Sequence, residues 1–174
     1  MVWLADLYLN MSIPKEHLGL AGEYAVATEL CKRGIYAQLT LGHRKRTDLL
    51  IFHEGRYTRV EVKAKQGSIW PNCRGIQDDD SFLVFVDFAG TSVDERPSFY
   101  ILSLADWIAL MRRAMRDYRK KHPDRRIELK DGCLIFLDEV SKHGQPYHGC
   151  GVKPSEILDH LEKWDKIAER ISPT

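Results

Sequence analysis

Asp48, Glu61 and Lys63 are the residues of this chain whose types and spacing could do chemistry. They stand in two short apolar segments, residues 47–52 (Thr-Asp-Leu-Leu-Ile-Phe) and 60–64 (Val-Glu-Val-Lys-Ala), joined through Glu54-Gly55-Arg56. A phosphodiester is an anion that resists attack by water. Its hydrolysis needs charge neutralisation on the phosphate, an activated water and help for the leaving oxygen, much of which a bound Mg²⁺ or Mn²⁺ can supply. Such hard cations prefer oxygen ligands. Asp48 and Glu61 would provide two carboxylates from neighbouring strands, and the backbone carbonyl of Val62 a third oxygen. Lys63 shares the face of Glu61, where its ammonium would hold the attacking water or stabilise the transition state.

Those roles require a hairpin. A period of two over residues 59–65 puts Arg59, Glu61, Lys63 and Lys65 on one face and Val60, Val62 and Ala64 on the other, with a tight turn at residues 54–56. Upstream, residues 17–33 read as a helix whose apolar stripe is Leu20, Tyr24, Ala27 and Cys31, with Leu30 beside it. Lys32 and Arg33 complement its C-terminal dipole and Gly34 ends it. Residues 35–41 read as a strand and 42–46 as a basic loop. Residues 66–80 are polar and rich in turn formers, which predicts a long loop. Residues 82–88 form a nearly continuous apolar run, as in a buried strand, and 98–104 a further strand. A helix is expected over 105–121 and a short strand over 133–137, with loop over 142–151. A last helix opens at Pro154, with Ile157, Leu158, Leu161, Trp164, Ile167 and Ile171 as its apolar stripe. The order predicts an α/β fold, a mixed sheet of about five strands flanked by helices, with a C-terminal helix.

The 174 residues suffice for one domain spanning 1–174. With 44% hydrophobic and 29% charged residues the composition is that of an ordinary globular protein. A net charge of +1 excludes a polycation, so contact with nucleic acid must come from a local patch. Four widely spaced cysteines, Cys31, Cys73, Cys133 and Cys150, suit reduced thiols and predict a cytoplasmic protein. No apolar run approaches the roughly 20 residues of a membrane span. The apolar first ten residues lack a basic leader and contain Asp6, which makes a poor signal peptide. Met11 follows them directly and is an alternative start to Met1.

The pattern resembles the PD-(D/E)XK nuclease superfamily, with its restriction-endonuclease-like fold. The matching positions are Gly22-Glu23 in the first helix, Gly34 at its end, Thr47-Asp48, and Glu61-Val62-Lys63. They fall within about residues 18–104, leaving about 105–174 as a C-terminal helical extension. Thr47 stands where the motif name has proline. The resemblance implies a nuclease, endo- or exonucleolytic, that acts on DNA sooner than RNA with Mg²⁺ or Mn²⁺. Glu23 occupies the place of the helix glutamate that completes the metal site in the Holliday-junction-resolvase branch. Gln66, three residues beyond Lys63, stands where several branches carry a glutamine that contributes to the site; capping the strand end is its other role. Many members act as dimers to cut two strands, so a homodimer is one implied assembly. The superfamily also contains members that bind without cutting, and a module for nucleic acid or a protein partner is the alternative.

His43, Arg44, Lys45 and Arg46 immediately precede Asp48 and would hold a phosphate backbone. Lys65 continues the Glu61 face towards the same groove. Trp70 would either stack on a base or fold back as the loop's own small core. A second basic cluster, residues 112–126, places Arg112 and Arg116 near one helical face with Arg119 and Lys120. That face would track a phosphate backbone, or pair with the acids Glu156, Asp159, Glu162 and Glu169. Asp78-Asp79-Asp80 reads as a cap on the following strand. His143, His148 and Cys150 fit no standard zinc spacing.

Overall fold

The computed structural model describes residues 13–40, 47–140 and 144–172. A five-stranded mixed sheet, ordered β1-β2-β3-β5-β6, organises the chain. Its strands are β1 (Ala37–Leu39), β2 (Leu49–His53), β3 (Arg56–Lys65), β5 (Ser81–Asp87) and β6 (Ser98–Leu102). Helix α1 (Lys15–Lys32) precedes them, α2 (Leu104–Lys121) follows, and a seven-residue α3 (Asp165–Ile171) lies near the C-terminus. This is the expected α/β mixed sheet with flanking helices. Among the described residues no helix is long and apolar enough to cross a membrane.

The β2–β3 hairpin follows from its turn. Glu54 and Gly55 both take positive φ, +47° and +80°, the geometry of a two-residue turn whose twist matches the flanking strands. Phe52 then faces Tyr57, Leu50 faces Arg59 and Leu49 faces Val60. β3 pairs parallel with β5 over seven positions, from Arg59↔Ser81 to Lys65↔Asp87.

Alternation divides the core between the two faces of the sheet. On one face Leu49, Ile51, Val60, Val62, Val84 and Val86 pack with Val26 and Leu30 of α1 and with Trp164 and Ile167. On the other, Leu83, Phe85, Tyr100 and Leu102 pack with Trp107, Leu110 and Met111 of α2. Ser103 and Asp106 close a reciprocal capping box at the start of α2.

Several expectations are corrected. The buried stripe of α1 is Gly22, Val26, Glu29 and Leu30, whereas Leu20, Tyr24 and Cys31 are exposed. A glycine and a glutamate occupy the inward face, so apolar periodicity points the wrong way. Residues 66–80 are not all loop: β4 (Trp70–Cys73) pairs antiparallel with β10 (Cys150–Val152). Residues 142–151 contribute β9 (Pro146–His148), which joins β7 (Ile127–Lys130) and β8 (Cys133–Val140) in a three-stranded sheet. The segment beyond 105 is thus mixed rather than helical. The last helix is broken into two 3-10 turns, Pro154–Glu156 and Leu158–His160, before α3. Leu158 and Leu161 are exposed there, while Ile157, Trp164 and Ile167 are buried.

Candidate active site

Asp48 lies one pair beyond the start of β2, opposite Glu61 by continuation of the hairpin register. Its N–H donates to the carbonyl of Val60 at 2.9 Å, and its own carbonyl accepts from Thr40 N–H at 2.9 Å. The side chain turns back into the sheet, where Oδ2 accepts from the Val62 N–H at 2.6 Å. Because alternate residues of a strand direct their peptide groups to opposite sides, the Val62 carbonyl faces this same edge, beyond the reach of β2.

Glu61 is 5% exposed. Lys63 reaches its Oε1 at 2.8 Å and keeps a third of its own side chain in solvent. Among the described residues Oε2 is buried with no hydrogen-bond partner. Leaving a buried carboxylate oxygen bare is costly, so the position suits an added electrophile. Glu61 lines a small pocket of about 140 Å³ with Thr47, Arg59, Ile76, Gln77, Asp78 and Ser81. Arg59 is held there by Asp78 at 2.9 Å.

Glu23 comes from the opposite side of the sheet, on α1. Gly22 makes its approach possible: a Cβ at that position would stand 2.7 Å from the Cβ of Ala64. Burial pushes the Glu23 carboxyl above its ordinary value, the nearby Asp48 charge adds to the rise, and Lys63 pulls against it. Three helix and strand positions far apart in sequence therefore share one electrostatic environment. Among the described residues no three His, Cys, Asp or Glu side chains stand close enough together to hold a metal ion.

Other expected site residues lie elsewhere. Lys65 does not reach a groove: it is 3% exposed, bonded to Asp87 and the Gly67 carbonyl, with its ammonium over the Trp70 ring. Trp70 does not stack outward either. It is buried against Phe85 and Tyr100, and its indole N–H donates to Val86 at 3.1 Å. Gln66 exchanges two hydrogen bonds with the backbone of Ile13, at 2.9 and 2.6 Å, and so fixes the lead into α1. His43, Arg44, Lys45 and Arg46 lie outside the described residues, as do His143 and both candidate start methionines. Arg112 and Arg116 are exposed on α2. Their neighbours Arg113 and Arg119 donate to the backbone carbonyls of Glu156 and Ile127, not to acids. The carboxylate of Glu162 pairs with Arg96 instead. Asp78 and Asp80 pair with Arg59 and Arg170.

Arg59 was visible as a member of the Glu61 face but carried no assigned role. Tyr57 shares the period of two with Arg59 and Glu61, and Phe52 faces it across the hairpin.

No family model matches the chain, and no curated protein matches it in sequence. Among solved structures a bacterial homing endonuclease, I-Ssp6803I, aligns over 92% of this chain and 95% of its own, with 18% sequence identity and a TM-score of 0.48.

Proposed function

We propose that this chain hydrolyses phosphodiester bonds of nucleic acid, DNA in the first place, with Mg²⁺ or Mn²⁺ as cofactor. The observation that carries the reading is the Oε2 of Glu61, buried and without a hydrogen-bond partner among the described residues, on a carboxylate whose other oxygen Lys63 holds. Asp48, Glu61 and the Val62 carbonyl would hold the cation, and Glu23 would complete its surroundings. The ion's contribution is charge neutralisation on the phosphate and acidification of a bound water. Lys63, with a third of its side chain in solvent, positions that water or takes up charge on the phosphate. Its bond to Glu61 keeps the ammonium at the reacting face. The basic residues His43, Arg44, Lys45 and Arg46, next to Asp48 in sequence, supply backbone contacts, with Arg112 and Arg116 as a second set.

One observation favours a second reading, a module that binds nucleic acid without cutting it: among the described residues the carboxylates do not gather into a three-ligand cluster. One assay separates the two. Branched, linear and single-stranded DNA are incubated with Mg²⁺ or Mn²⁺ and wild-type, Asp48→Ala or Lys63→Ala protein. Metal-dependent cutting that disappears in both variants is the expected result. Binding to every substrate with no cutting by the wild type would retire the hydrolytic reading.

A further inference from the structure

The β2–β3 hairpin carries three successive cross-strand pairs on the face of Glu61. Asp48 and Glu61 come first, then Leu50 and Arg59, then Phe52 and Tyr57 at the tip. Strand geometry spaces such pairs about 6.6–6.8 Å apart, comparable with one phosphate-to-phosphate step of an extended single strand. Arg59, in the middle, opens on the pocket that Glu61 lines. At the tip, Phe52 and Tyr57 are 52% and 64% exposed, with ring centroids 4.9 Å apart and planes inclined by 41°. A cross-strand ring pair steadies a hairpin modestly, which accounts for the contact between the rings. It does not account for two large aromatic surfaces left in water beside an arginine and a phosphate-cleaving corner.

We propose that this face is a lane for an unpaired nucleic-acid strand, with Arg59 on the phosphate next to the scissile one and the Phe52–Tyr57 pair beneath a base. The order along the lane is carboxylates, guanidinium, rings, which alternates the chemistry that phosphate and base each need. Stacking is indifferent to base identity because every base presents a π-face, and an arginine beside it adds the backbone charge contact. The base must be unpaired, since a base within a duplex has no free face to offer the rings. The lane rests on the phosphodiester reading of its Asp48–Glu61 end.

The test uses the full chain in EDTA, so that binding is read apart from cutting. A labelled single-stranded deoxyoligonucleotide, the same oligonucleotide carrying 2-aminopurine, and its duplex are titrated with wild type and three variants. These are Phe52→Ala/Tyr57→Ala, Phe52→Leu/Tyr57→Leu and Arg59→Ala. The leucine pair keeps apolar bulk in the hairpin while removing the rings, and melting curves confirm that each variant is folded. Both ring variants should weaken single-strand binding about five- to hundredfold and abolish the 2-aminopurine quench, with duplex binding unchanged. Arg59→Ala should lower the salt slope by about one. Unchanged single-strand binding in the leucine pair, an equal loss on duplex, or no single-strand binding by the wild type would each overturn the lane. A wild type that binds through the rings yet cuts nothing with metal leaves the lane standing and removes the hydrolytic reading. Ring-independent binding with metal-dependent cutting does the reverse.

Discussion

The Val62 amide donates to the Asp48 carboxylate at 2.6 Å, so the side chain proposed as a cation ligand also joins β2 to β3. Substitution can separate these tasks. Asn at 48 keeps an oxygen acceptor for the Val62 N–H but loses the charge. Asp48→Asn should therefore abolish cutting while changing stability by less than about 1 kcal/mol. Asp48→Ala should abolish cutting and also cost about 1–3 kcal/mol, because the amide loses a charged partner. Denaturant midpoints beside cleavage assays check both; an Asn variant that cuts normally would remove Asp48 from the chemistry.

Gly22 sets how closely α1 approaches β3. Ala is the better helix former by about 1 kcal/mol, yet its Cβ would meet that of Ala64 at 2.7 Å, and overpacking of this kind costs about 1–3 kcal/mol. Gly22→Ala should lower stability and, by moving Glu23 outward, weaken Mn²⁺ binding. Adding Ala64→Gly should relieve the clash and restore metal affinity. If the double variant binds metal no better than the single one, the contact is not what places Glu23.

Glu23 makes the corner sensitive to pH. Its carboxyl is raised, by burial first and by Asp48 second. The native state therefore holds the proton more firmly than the unfolded chain does. The wild type is favoured below the ordinary carboxylate value and loses that advantage as pH rises through the raised one. Glu23→Gln carries no such loss, so relative to wild type it should gain stability in EDTA as pH rises from the ordinary carboxylate value through the raised one. Mg²⁺ should raise the wild-type midpoint more than that of the variant. A variant that loses ground as pH rises would contradict the sign.

The opposite sign applies at Glu29. Arg96 holds this carboxyl well below the usual range, burial opposes it, and Arg33 and Lys32 reinforce Arg96. Arg96 reaches Glu29 at 2.8 Å and Glu162 at 2.7 Å, tying α1 to the β5–β6 connection and to the C-terminal segment. Glu29→Gln should cost about 1.5–3 kcal/mol at neutral pH. Since the stabilisation is present above the unfolded carboxylate value and lost as pH falls, the two proteins should converge in acid. A gap independent of pH would show that the charge is not the stabilising element.

The hairpin could be read from sequence because its period of two, its glycine turn and its Glu-x-Lys face all agree. What escaped did so for physical reasons. β4 and β10 are four and three residues long and pair across the chain, too short for any period to register. Gly22 and Glu29 lie on the inward face of α1, and neither counts as apolar, so the exposed Leu20 and Tyr24 set a false stripe. The apolar spacing from Ile157 to Ile171 is helical throughout, yet Glu162 takes a φ of +54°, which no continuous helix allows. Lys65 shares the alternation of Lys63 but lies deeper under Trp70, and depth along a strand is a property of what covers it. A place for Glu23 at the site was expected only through a family resemblance; in the fold, close packing at Gly22 sets α1 against β3, and Asp48 is among the charges that raise the Glu23 carboxyl.

Asp78 offers a test in which function should improve. Its pair with Arg59 spans 2.9 Å with both side chains substantially in solvent, so the pair itself stabilises little. In the free protein Asp78 competes with phosphate for the guanidinium. Asp78→Asn should release Arg59, tighten single-strand binding at low salt and steepen its salt dependence by about one counterion. The backbone carbonyl of Asp78, which accepts from Ser81 N–H at 3.0 Å, is untouched by the change, so the turn leading into β5 should persist. Combining Asp78→Asn with Arg59→Ala should return binding to the level of Arg59→Ala alone. If Asp78→Asn tightens binding equally with and without Arg59, the gain comes from removing a negative charge near the strand rather than from freeing the arginine.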